Sequence, residues 1–194
     1  FIPGYKKDVQ SYDYNPDTAK SMLNELGLSN LNIHMITYSP SRQYNSVGGQ
    51  KLAEAVQNYL SKVGITSTID VYQWTEYKEK LQQGEGDMFF YGWIGDNGDP
   101  YNFLSLLDSK EISSSLNSAK YSNPDVDSLL AKAKAMPSGD DRNQLYGQIQ
   151  DIASKDSPWI TLSHANQMAA YSPKVKNFSL HPTGSIFFKN VDKD

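Results

Sequence analysis

Met88-Phe89-Phe90-Tyr91-Gly92-Trp93-Ile94-Gly95-Asp96-Asn97-Gly98-Asp99-Pro100 is the stretch from which the rest of the chain can be read. Its first four residues are an apolar, aromatic run bounded by Gly86 and Gly92, which predicts a short buried strand. Three glycines, two acids, an Asn and a Pro then fall within nine residues. Pro100 presets a turn or a first helical position, and the apolar segment Phe103 to Leu107 follows. An acid-bearing, glycine-flanked loop at the end of a buried strand sits where open α/β sheets bind ligands. A tight turn, with Asp96 and Asp99 as turn and N-cap acceptors, fits the same residues. Locally both readings stay open.

The residues before this stretch repeat one pattern. Asn15-Pro16 predicts a capped helix start, with Ala19, Met22, Leu23 and Leu26 on one face and Gly27 as the stop. Leu31 to Tyr38 reads as a strand and runs into the loop Ser39 to Asn45. A helix over about Ser46 to Val63 carries the stripe Leu52, Ala55, Val56, Tyr59, Leu60 and Val63. Ile65 to Tyr72 is the next strand. Thr75 is placed to cap a helix over Glu76 to Gln83, and Gly84-Glu85-Gly86 returns the chain to the strand Asp87 to Tyr91. The order αβαβαβ predicts a largely parallel sheet with helices on its faces.

Beyond the stretch, the serine-rich segment Ser109 to Ser118 reads as a surface loop. Asn123-Pro124 starts a helix to Ala135, and Pro137-Ser138-Gly139 separates it from another over Asp140 to Lys155. Pro158 to His164 and Gln167 to Tyr171 read as strands. Lys174 to Phe178 leads to a last apolar patch, Ile186-Phe187-Phe188. There is no internal repeat.

Composition removes several classes of function. The 194 residues are 38% hydrophobic and 12% aromatic, enough for a folded core. A net charge of -4 and a pI near 5.3 argue against a nucleic-acid binder. No apolar run is long enough to span a membrane. With no cysteine, the chain has no thiol nucleophile, disulfide or Cys-ligated metal. Because it starts at Phe1, it reads as a processed chain or an excised piece of one.

Catalytic and metal signatures are weak. A retaining glycosidase holds two carboxylates about 5 Å apart across its sugar, which loop neighbours such as Asp96 and Asp99 rarely do. His34, His164 and His181 lack metal-ligand spacing, and no nucleophile elbow or phosphate loop is present. The helix entry Gly48-Gly49-Gln50-Lys51 could hold an anion, but it reads more simply as a flexible turn. An acid-dependent hydrolase is therefore the weaker alternative, and no cofactor or metal is expected. Arg42 reads locally as a solvated residue, although its guanidinium suits a carboxylate. Trp74, Trp93, Tyr44, Tyr72 and Tyr91 lie at or near the ends of the three predicted parallel strands. With Arg42 and Asp96 they make an apolar rim with a few polar groups, and this convergence favours a site over a plain turn.

Gly92 to Phe103 closely resembles a segment of the dipeptide and oligopeptide substrate-binding proteins of ABC importers. Tyr12 to Lys20 is similar to that family's tyrosine-rich entry to a helix. Arg42-Gln43-Tyr44-Asn45 is similar to its Arg-Pro-Tyr-Asn loop, with Gln43 in place of Pro. Tyr72-Gln73-Trp74-Thr75-Glu76-Tyr77 and Tyr121 to Asp127 match further segments in order. The resemblance implies a type II periplasmic-binding-protein-like α/β lobe, residues 1–194 being the carboxyl-terminal lobe of a two-lobed protein and 186–194 a tail that can detach. It implies a peptide held between two lobes, with Asp96 on the α-ammonium, Arg42 on the α-carboxylate and Trp74 in the side-chain pocket. Tyr44, Gly92, Trp93, Ile94 and Asn97 complete the candidate set. Ile94 stands where dipeptide binders of the family carry a small polar residue. The implied partners are a di- or oligopeptide, the permease subunits and the absent amino-terminal lobe. The implied location is extracytoplasmic, with any lipid anchor outside this segment. Relatives of the same fold bind nickel chelates or haem.

Overall fold

Residues 2–28 and 30–194 are described in a computed structural model. Strands β1 (Asn32–Tyr38), β2 (Thr66–Tyr72) and β3 (Met88–Phe89) form a parallel sheet in the order β2-β1-β3. β1 pairs with β2 from Asn32↔Thr66 to Tyr38↔Tyr72, and with β3 through Met35↔Met88 and Ile36↔Phe89. Parallel strands need crossovers. Helix α2 (Gly49–Ser61) supplies the first and α3 (Trp74–Gln83) the second. The expected parallel α/β lobe is therefore what the chain forms.

The burial pattern follows from this order. Central β1 buries Met35, Ile36, Thr37 and Tyr38 in succession, as a strand covered on both faces must. Edge strand β2 has no buried residue. Met35, Ile36 and Tyr38 pack with Ala53 of α2, with Tyr77 and Leu81 of α3, and with Phe90. A second core lies beyond the short helix α4 (Tyr101–Leu104), between α5 (Pro124–Lys134) and α6 (Asp140–Asp156), where Val126, Leu130 and Ala133 meet Leu145, Tyr146 and Ile149 over Leu107. Both Asn-Pro helix starts act as expected. The Asn15 side chain accepts from Thr18 N at 3.0 Å, opening α1 (Pro16–Glu25), and that of Asn123 accepts from Asp125 N at 3.0 Å. Gly84, at φ 76, closes α3 in the left-handed conformation.

The structure departs from the sequence reading in five places. Helix α3 begins at Trp74 without a side-chain cap, so Thr75 is helical rather than capping. Helix α2 begins at Gly49 rather than near Ser46, because Arg42 and Asn45 close a tight turn with reciprocal backbone bonds of 2.9 and 2.8 Å. The serine-rich segment is no simple surface loop. Ser109–Ile112 is a 3-10 turn tied to Asp127 through Ser109 N and Oγ, and the buried Asn117 side chain holds the backbone of Asp108 and Tyr121. Pro158–His164 and Gln167–Tyr171 form no strands. Among the described residues they pair with no strand, and Ile160 and Met168 are 71% and 90% exposed. Finally, the tail is paired at its end: β5 (Asp192–Lys193) lies antiparallel to β4 (Val175–Lys176), while Ile186, Phe187 and Phe188 stay exposed. Among the described residues, no helix is long and apolar enough to cross a membrane.

Candidate functional site

All three parallel strands end on one edge, and each delivers part of the candidate site there. β1 ends at Tyr38, and the Arg42–Asn45 turn follows. β2 ends at Tyr72, which places Trp74 at the start of α3. β3 runs out into the glycine-rich loop. Tyr38 is the hub beneath this edge. Its ring meets Tyr44, Trp74 and Tyr77 edge-on, with centroids 6.3, 5.6 and 5.5 Å away, and its hydroxyl accepts from Asn45 Nδ2 at 3.1 Å. Such edge-to-face pairs are favourable beyond the area they bury. The buried Tyr77 hydroxyl donates to Phe90 O at 2.5 Å and accepts from Phe90 N at 3.1 Å, so α3 fixes the root of the loop.

Arg42 sits over Trp74, its Cζ 3.4 Å from the ring centroid, and Tyr91 stacks on the same indole at 5.7 Å. The indole face thus holds the guanidinium by cation–π attraction. Gly92 is a steric requirement. A Cβ there would lie 2.3 to 2.7 Å from the Tyr44 ring, so only glycine lets the loop cross that ring. The Tyr44 hydroxyl is buried and has no hydrogen-bond partner among the described residues. Burial raises its pKa, Tyr38 adds to this, and the nearby Arg42 offsets only part of it.

The two acids of the loop have separate environments. Asp99 Oδ2 accepts from Arg142 Nη1 of α6 at 2.6 Å, and Oδ1 accepts from Tyr101 N at 2.8 Å. Partial burial works against its ionisation. The Arg142 and Tyr101 bonds outweigh that and hold the carboxyl below its usual range. Arg142 also donates through Nε to Ala133 O at 2.9 Å, tying the loop to the end of α5. Asp96 is exposed, and among the described residues its carboxylate takes only a 3.4 Å contact from Asn102 Nδ2. Asn102 Oδ1 in turn accepts from Trp93 Nε1 at 3.0 Å and from Asp96 N at 3.2 Å. Neither Asp96 nor Arg42 has an ion-pair partner among the described residues.

A mostly apolar cleft of ≈ 830 Å³ runs along the free edge of β3. Tyr44, Gly92, Trp93, Ile94 and Asn97 line it, whereas Arg42, Trp74 and Asp96 lie outside its lining. Its other wall is the unpaired segment Trp159 to Ala165, including His164. In sequence that wall reads as an ordinary strand, and nothing local to it says what it faces. Asn102 and Arg142 were also missed, because their roles depend on neighbours in space.

Among the described residues, one group of side chains has metal-ligand chemistry. His34 of β1, Asp70 of β2 and Glu85 of the loop after α3 place donor atoms within 4.8 Å of one another. Each is already engaged: His34 Nε2 pairs with Asp70 at 2.8 Å, while Glu85 takes Lys80 at 2.8 Å and the Tyr72 hydroxyl. The Lys80 and Tyr72 bonds hold the Glu85 carboxyl below its usual range. This is a closed polar network apart from the candidate site.

A parallel sheet with aromatic and charged residues gathered at its strand ends has the layout in which open α/β sheets hold ligands. The chain belongs to the bacterial extracellular solute-binding proteins, family 5, whose middle-region family model matches residues 1–115. It is 34% identical, over its whole length, to a haem-binding protein A of Haemophilus influenzae. It is 33% identical over 97% of its length to a dipeptide-binding protein of Escherichia coli. The crystal structure of a Pseudoalteromonas dipeptide-binding protein in complex with Met-Leu superposes with a TM-score of 0.83, at 29% identity over 98% of this chain and 38% of that one. The chain spans about a third of the curated relatives' length, 35% in both cases.

Proposed function

We propose that this chain is the carboxyl-terminal lobe of the extracytoplasmic substrate-binding component of an ABC importer for di- and oligopeptides. It binds rather than transforms its ligand, and it delivers the peptide to membrane permease subunits. The observation that carries the reading is one anion and one cation, Asp96 and Arg42, each without an ion-pair partner among the described residues, on two loops of a single sheet edge. A zwitterionic peptide supplies the partner for each. Asp96 takes the α-ammonium, Arg42 the α-carboxylate, and Trp74 lines the side-chain pocket between them. Gly92, Trp93, Ile94, Asn97 and Tyr44 shape the surface against which the peptide lies. Main-chain recognition leaves the peptide's side chains free to vary. The second lobe covers the ligand, and the new ion pairs bias the protein towards its closed state.

Calorimetry on the full-length protein tests this. Asp96→Ala is expected to weaken dipeptide binding by at least about 2 kcal/mol, roughly 30-fold, as when a desolvated charge loses its partner. Unchanged affinity would remove Asp96 from the site. A haem ligand is the second reading, favoured by the 34% identity to a haem-binding protein A and by His164 in an apolar cleft. A haem absorption band in the purified full-length protein, lost on His164→Ala, would select it.

A further inference from the structure

We infer that Asn97 is a site of spontaneous deamidation, a covalent change that alters the charge of the ligand loop. Asn97-Gly98 is the single Asn-Gly pair in the chain. Both residues are exposed. The Asn97 side chain folds back over the following peptide, with Oδ1 accepting from Asp99 N at 2.9 Å. This fold-back carries Cγ towards the nitrogen of Gly98, which lies between the two bonded groups. The same hydrogen bond polarises the side-chain carbonyl and stabilises negative charge on its oxygen, as an oxyanion-hole donor does. Gly98 N–H donates to no acceptor among the described residues, and the residue itself is exposed.

The reaction needs only water. Gly98 N loses its proton to hydroxide and attacks Asn97 Cγ, forming a new N–C bond. The bond from Cγ to the side-chain nitrogen then breaks, and ammonia leaves with the proton it takes from water. The product is a five-membered succinimide. Water opens that ring at either carbonyl, giving aspartate or isoaspartate at position 97. No oxidant or reductant is involved. The first product adds a carboxylate beside Asp96. The second also lengthens the backbone by one carbon between two fixed points, since Asn102 holds Trp93 and Asp96 while Arg142 holds Asp99. The inference rests on loop chemistry and stands whichever ligand the cleft takes.

Asn117-Ser118 is the internal comparison. Asn117 is buried, its Nδ2 donates to two carbonyls, and its Oδ1 accepts from Tyr121 N, so its side chain is locked away from its own backbone. Gly98→Ala is the second control. A Cβ at position 98 meets nothing within 4 Å, and Gly98 is not among the residues with positive φ. The variant should keep the loop while crowding the attacking nitrogen.

The test is peptide mapping by mass spectrometry of the full-length protein, aged at mildly alkaline and mildly acidic pH. The peptide containing Asn97 is expected to gain about 1 Da, with isoaspartate as the main product. It should do so at least about tenfold faster than the Asn117 peptide, because the folded backbone protects only the latter. The rate should rise with pH and fall in Gly98→Ala. An intact Asn97 under conditions that deamidate the denatured chain would overturn the inference. An equal rate in Gly98→Ala would overturn the route through the Gly98 nitrogen.

Discussion

Asp99 gives one carboxylate oxygen to the Tyr101 amide and the other to Arg142, whereas Asp96 keeps its carboxylate in solvent apart from a long contact with Asn102. Asp99 is thus a clamp between the loop and α6. Its folded-state carboxyl is held below the ordinary value, so the stability it contributes is fully present above the unfolded pKa of about 3.9. That contribution is lost as pH falls through the lowered folded value. Asp99→Asn is therefore expected to lower the unfolding midpoint at neutral pH and to flatten its decline below about pH 4. Denaturant titrations of the full-length protein at both pH values check this, and a variant with the wild-type pH profile would contradict it. Gly92 makes a steric prediction at the same scale. Gly92→Ala drives a methyl into the Tyr44 ring and should destabilise by about 1–3 kcal/mol. Tyr44→Ala in the same chain should recover part of that loss, because the two residues share one contact. The sequence marked Asp96, Asp99 and Gly92 as loop residues. The clamp was not legible, since Arg142 is 43 residues from Asp99.

At the scale of elements, the first half of the chain was legible because its signals are local. Apolar periodicity and glycine stops set β1, α2, β2, α3 and β3 close to their observed places, and the Asn15-Pro16 cap sets the start of α1. The caps also predict unequal consequences. Asn123 opens α5, which buries Val126, Leu130 and Ala133, so Asn123→Ala should lower global stability by about 1 kcal/mol. Asn15 opens α1, which buries no residue. Asn15→Ala should fray α1 and leave the global midpoint unchanged. Hydrogen exchange and denaturant unfolding of the two variants, read together, distinguish local from global loss. The segments Pro158–His164 and Gln167–Tyr171 show the limit of local signals. Both read locally as strands, but a strand forms only beside a partner, and local sequence does not state whether one is present. Trp159 to Ala165 instead becomes a wall of the cleft.

At the scale of the molecule, the architecture explains why the candidate residues are so far apart in sequence. A rigid parallel sheet carries Arg42, Trp74 and Asp96 on three successive strand ends, so their spacing is set by strand pairing rather than by loop flexibility. Five candidate residues line the cleft, while Arg42, Trp74 and Asp96 lie beyond its lining. On the proposed reading, a ligand bridging Asp96 and Arg42 lies across the strand ends, where the proposed second lobe would close over it.

The central claim is that Asp96 reads the free amino terminus of a peptide. It is tested most directly by calorimetry of the full-length protein, wild type and Asp96→Asn, against a dipeptide and its N-acetylated form. The wild type is predicted to bind the free dipeptide at least about 30-fold more tightly than the acetylated one, and Asp96→Asn to lose most of that preference. An Asp96→Asn variant that kept both the affinity and the preference of the wild type would contradict the account.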